Sequence, residues 1–200
     1  MLSAIERFGA RRVGDQLDEG FTLVELLVVL LIIGILLAIA IPTFLSTTKE
    51  ANNTAVQANL QLAFTGAKTF YTNEGQTYSG ILGGAGVTGV SDIQQIDTGL
   101  SYVTSSTGSS GSHQVSVFPG NGGTYLVMAA WAPGTQLCWV LLDIPTPQTT
   151  AVQGHSSAIG TWFMLYRGGV QANCAAANFG AGGSIAIGAG DQSQTGWPKA

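Results

Sequence analysis

The sequence predicts an α+β protein in which a long N-terminal helix packs on a small antiparallel sheet of about four strands. Three observations lead to this. An unbroken apolar run covers residues 21–41, an apolar stripe at helical spacing continues to about residue 74, and four strand-like runs separated by turn residues lie between 115 and 167. At 200 residues the chain has room for one ordinary domain and an appended segment.

Residues 21–41 read FTLVELLVVLLIIGILLAIAI, with Glu25 the only ionisable side chain. A helix of this length rises about 30 Å, which matches the hydrocarbon core of a bilayer. The preceding residues, MLSAIERFGARRVGDQLDEG, are polar and have no apolar region of their own ahead of a small-residue cleavage site, unlike an ordinary secretory signal. Arg7, Arg11 and Arg12 favour a cytoplasmic leader, with the residues after Ile41 outside. An ionised carboxylate in hydrocarbon is costly and demands a partner, and the segment around Glu25 offers none. Cleavage after Gly20 would give Phe21 a positive α-amino group about one helical turn from Glu25. The plainer alternative is a single-span anchor with an incidental interfacial Glu.

The stretch Gly20-Phe21-Thr22-Leu23-Val24-Glu25-Leu26 resembles the class III signal sequence of type IV prepilins and pseudopilins. The resemblance extends through the apolar run to Pro42 and covers about residues 20–45. It implies a pilin-like fold and a leader, residues 1–20, that a prepilin peptidase removes between Gly20 and Phe21. It also implies N-methylation of Phe21, and docking of subunits by Glu25 against an N-terminal amine such as that of Phe21. Asp18 and Glu19 stand where basic residues are commoner in the family. The function implied is a structural subunit of a type IV pilus serving adhesion, motility or DNA uptake. The expected partners are further copies of the chain, the peptidase, the cytoplasmic membrane and a pilus assembly platform. The precursor would sit in the cytoplasmic membrane by a single pass, and the mature subunit in an extracellular filament. A pseudopilin of a type II secretion system and a membrane-tethered binding domain are the alternatives.

The helix is expected over 21–74, with 21–41 in membrane or filament core and 42–74 amphipathic, about 80 Å in all. Pro42 removes a backbone donor and predicts a kink or local melting. Beyond it, Val56, Leu60, Ala63, Ala67 and Phe70 form one apolar face, while Asn52, Asn53, Gln57, Asn59, Gln61 and Lys68 read as the polar side. Gly75 follows as a terminator. A coiled coil is the competing reading of this half, although Ala stands at several seam positions.

The remaining residues, 75–200, read as a globular domain. Residues 75–114, with Gly83, Gly84, Gly86, Gly89 and the Ser/Thr/Gly run from Thr104 to Ser112, are expected to be a surface connection, with a short helical turn within Ser91 to Leu100. Residues 115–167 carry the sheet: Val115 to Phe118, Thr124 to Ala132, Leu137 to Ile144 and Thr161 to Arg167, the middle pair joined by Pro133-Gly134-Thr135. One face should lie on the helix, with Trp131, Trp139 and Trp162 supplying much of that core. Residues 168–200 form a Gly- and Ala-rich tail whose form, strand or loose loop, the sequence leaves open. Cys138 and Cys174 are the only cysteines. They form one bridge closing a loop of about 36 residues if the domain is exported, or remain two unpaired core thiols. In pilins a similar bridge bounds the exposed C-terminal region.

Composition narrows the function classes. Only 9% of residues are charged and the formal net charge is −4, which leaves no basic surface for a nucleic-acid backbone. Gly accounts for 28 residues, a usage that suits exported proteins. Catalysis needs converging titratable groups, and His113, His155, Glu50, Glu74, Asp92, Asp97, Asp143 and Asp191 are scattered. Asp143 and Asp191 are too sparse for a calcium site, no second Cys or His stands at metal-ligand spacing, and no cofactor motif is framed. A non-enzymatic protein without cofactor or metal is expected.

Overall fold

The computed structural model describes residues 21–83, 93–155 and 158–200. The leader 1–20 with its Gly20, together with Gly84, Gly86, Gly89, Ser91 and Asp92, lies outside the described residues. The chain separates into two units, one ending at Thr43 and the other starting at Phe44.

Helix α1, Leu23–Asn73, is continuous in sequence across both units. Every residue from Phe21 to Thr43 is exposed. In lipid only a helix satisfies all backbone groups within one segment, and this outweighs the modest helix propensity of the many Val and Ile residues. Helical structure persists through Pro42 rather than melting there, and Thr43 Oγ1 donates to the Ile39 carbonyl at 3.0 Å in the same turn.

In the second unit α1 buries one stripe. Val56, Leu60, Ala63, Ala67 and Phe70 are fully buried, so the apolar periodicity lies against a sheet rather than a second helix. Asn53, read from sequence as polar-side, is buried with them because it lies three residues before Val56 on the same stripe. Its Oδ1 accepts from Thr135 Oγ1 at 2.6 Å and from Trp139 Nε1 at 3.3 Å, which satisfies the buried amide and fixes the helix to the sheet. Gly75 ends the helix at φ 69°, and the Gln76 N–H closes on the Tyr71 carbonyl at 2.9 Å, the long bond of a Schellman cap.

The sheet has six strands in sequence order: β1 Ser101–Val103, β2 Gln114–Gly120, β3 Tyr125–Ala132, β4 Leu137–Ile144, β5 Gly160–Tyr166 and β6 Gln192–Ser193. β1 runs parallel to β2, and all other neighbours are antiparallel. The four expected strands are β2 to β5. The two additional strands are edges of three and two residues, too short to carry an alternating pattern.

Residues 75–114 are not merely a surface connection. Tyr78, Ile81, Ile93 and Leu100 are buried in the core beneath α1, and the stretch also contains α2, Ile93–Ile96, and β1. The isolated apolar residues were hidden among glycines and serines, but each is a core anchor.

Both faces of the sheet are covered. Leu126, Met128, Ala130, Trp139, Leu141 and Leu165 face α1. Tyr125, Val127, Trp131, Cys138, Val140 and Trp162 form a second core on the other side with Cys174, Ala176, Phe179 and Ile187. Of the three expected core tryptophans, only Trp139 is on the helix side. Trp131 and Trp162 fall on the opposite face because side chains alternate along a strand and Trp131 pairs with Cys138. The tail is therefore neither loose nor a long strand: short 3-10 turns at Gln171–Asn173, Ala176–Phe179 and Ala189–Asp191 cover the second face before β6. Trp197 then meets Trp139 and Phe163 edge-on, with ring centroids 5.5 and 4.8 Å apart.

Candidate functional site

The first candidate is the start of α1. Thr22 precedes the helix and Glu25 is its third residue, the T-x-x-E spacing of a capping box. The Glu25 N–H donates to Thr22 Oγ1 at 3.2 Å. In return Glu25 Oε2 accepts from the Thr22 N–H at 3.1 Å and from the Thr22 hydroxyl at 3.0 Å. Glu25 thus has hydrogen-bond partners inside its own segment, contrary to the expectation that the segment offers it none. The sequence carries this signal as Thr22-Leu23-Val24-Glu25, in which the partners of the carboxylate are an uncharged hydroxyl and an amide. α1 is long and apolar enough to cross a membrane.

Cys138 on β4 and Cys174 after the first 3-10 turn form a disulfide with Cα atoms 5.5 Å apart, both fully buried. Among the described residues no cysteine is free. Closing a loop of this size contributes about 2 to 4 kcal/mol and ties the tail to the sheet.

Several of the scattered titratable groups have structural partners. Asp143, whose side chain is 3% exposed, accepts at 2.7 Å from Lys68 Nζ on α1, from Tyr78 Oη after the helix and from Thr161 Oγ1 on β5. One carboxylate therefore joins three segments, with all its donors polar and close. Burial, reinforced by the Asp143 charge, pushes the Tyr78 phenol well above its ordinary range. Burial and a bond to Asp97 do the same for Tyr102. Asp191 pairs with Arg167 at 3.1 Å. His113 is exposed beside Ser112, and His155 stacks on Trp162. Among the described residues no three His, Cys, Asp or Glu side chains gather where a metal ion would sit.

A continuous N-terminal helix whose second half packs on a largely antiparallel sheet, with a disulfide-tied tail, is an α+β fold of type IV pilin-like layout. The family described as the prokaryotic N-terminal methylation motif matches residues 17–41. The type IV major pilin protein PilA of Myxococcus xanthus is 37% identical over 70 residues, covering 35% of this chain and 29% of that protein. Two proteins of Thermus thermophilus are each 55% identical over shorter stretches. The type IV narrow pilus major component PilA5 aligns over 40 residues, 20% of this chain and 34% of that protein, and the type IV wide pilus major component PilA4 over 42 residues, 21% and 32%. The chain spans about a third of the length of these curated relatives. No solved structure matches it. In its N-terminal motif and first helix the chain is similar to type IV pilins and prepilins.

Proposed function

We propose that the chain is the precursor of a structural, non-enzymatic subunit of a type IV pilus filament. The observation that carries this reading is the prepilin motif at the head of a helix whose residues 21–43 are all exposed: an apolar surface of that length needs lipid or other copies of itself around it. In this reading the precursor is anchored in the cytoplasmic membrane and a prepilin peptidase cuts between Gly20 and Phe21. Phe21 is then N-methylated, and the mature chain polymerises through α1 on an assembly platform into an extracellular filament.

Glu25 acts at the docking step. The capping box occupies its Oε2 within the subunit, and its other oxygen, which makes no hydrogen bond among the described residues, receives the N-terminal amine of Phe21 from a neighbouring copy. Mass spectrometry of sheared surface filaments tests the reading. Subunits should begin at a methylated Phe21, and Glu25→Ala should give cleaved protein that stays in the membrane. Recovery of only uncleaved, envelope-bound chain from the native cells would overturn it, and normal filaments from Glu25→Ala would remove the docking role. A bulky residue in place of Gly20 should leave the precursor uncut.

A further inference from the structure

A surface hollow of the second unit, about 590 Å³, lies between the loop carrying Gln153 to His155, strand β5 and the segment Gln192–Thr195. Its volume falls in the range of small-molecule sites. Its walls are held from behind. The Gln153 amide donates to the carbonyls of Phe179 and Ile185 at 3.1 and 2.8 Å, and its Oε1 accepts from the Ile187 N–H at 2.8 Å. Gln192 Oε1 bonds His155 Nε2 at 2.7 Å while its Nε2 donates to the Ile187 carbonyl. The His155 ring lies nearly flat on the Trp162 indole, with centroids 4.3 Å apart and planes 21° apart, so the aromatic wall is fixed rather than adaptable.

The lining contains no Asp, Glu, Lys or Arg. The nearby Asp191 is already paired with Arg167. Gln194 and Thr195 on the rim are exposed, and among the described residues the Gln194 amide makes no hydrogen bond, leaving a donor and an acceptor for a ligand. An uncharged hollow rimmed by amide and hydroxyl groups and walled by one flat aromatic pair suits a ligand that is neutral, rich in hydroxyls and apolar on one face. Trp162 belongs to the core on the side of the sheet opposite α1, so the hollow stays open when the α1 side is covered.

We propose that this hollow binds a neutral saccharide of two or three units, with Gln194 and Thr195 contacting its hydroxyls and the outer face of the His155 ring, backed by Trp162, its C–H face. The proposal goes beyond the filament reading and does not depend on assembly, because binding is measurable on the unassembled full-length chain. Detergent-solubilised protein would be applied to an array of neutral gluco-, galacto-, manno- and N-acetylhexosamine oligosaccharides alongside sialylated and sulfated ones, with bound sugars then titrated by tryptophan fluorescence. Saturable binding of at least one neutral sugar is expected, about tenfold weaker in Gln194→Ala and in His155→Ala. It should be unchanged in Leu62→Ala, an exposed position on α1. Failure of every neutral sugar to bind overturns the proposal. So does a preference for the anionic sugars, or full binding by both pocket variants.

Discussion

Leu30 and Leu60 belong to one helix, yet Leu30 is 60% exposed and Leu60 is fully buried. Around Leu30 the apolar residues occupy every side of the helix, whereas around Leu60 they keep to a stripe that meets the sheet. The same secondary structure therefore answers to two solvents. The first part of α1 is built for surroundings that other molecules must supply, and the second for a core the chain supplies itself.

This contrast can be broken most directly by truncation. Leu60→Ala should cost about 3 to 4 kcal/mol, read as a fall in the midpoint of denaturation of the detergent-solubilised chain by near-ultraviolet circular dichroism. Leu30→Ala should leave that midpoint within about 0.5 kcal/mol. Equal effects would end the division of the helix into two regimes.

Asp143→Ala comes next, at about 3 kcal/mol. It orphans Tyr78 and Thr161, while Lys68, 39% exposed, can still reach water. The same measurement should show the loss in the second unit, with helicity before Thr43 unchanged.

The buried phenols sharpen the comparison through pH. Tyr78 and Tyr102 have folded-state pKa values above those of unfolded tyrosine, so their neutral forms contribute stability that is fully present below about pH 10. That contribution is lost as pH rises further, because the unfolded chain ionises first. Denaturation midpoints should therefore fall with alkalinity above about pH 10, more shallowly in Tyr78→Phe. Tyrosinate absorbance should show these residues titrating together with unfolding.

The most local effect is at the helix start. Thr22→Ala removes the capping box and should cost about 1 kcal/mol locally, seen as faster amide exchange over residues 23–25 in micelles, with no change in the second unit.

Periodicity made the helix, its buried stripe and strands β2 to β5 legible in sequence, since each runs long enough to repeat its pattern. β1 and β6 were not legible, because three or two residues have no period. Neither was the second core: Phe179 and Ile187 are isolated apolar residues in a Gly- and Ala-rich tail, and only the sheet's unclaimed face gives them a partner. At the N-terminus the motif residues were readable, while Glu25's local partner went unseen because a hydroxyl and an amide carry no charge to notice. Asp143 stood in sequence as an isolated acid. The distances that make it a junction arise only when residues 68, 78 and 161 converge.

Trp197 carries a consequence for timing. Its ring closes on Trp139 and Phe163 in the core that begins with Val56, so that core is completed by a side chain far downstream in sequence. Contacts this distant in sequence form late and slowly. In the membrane-anchored reading, the first part of α1 would already be held in the bilayer while the sheet beyond it waited for this distant contact. Until then Trp139 would stand uncovered on that side, a surface that a chaperone or a protease could recognise.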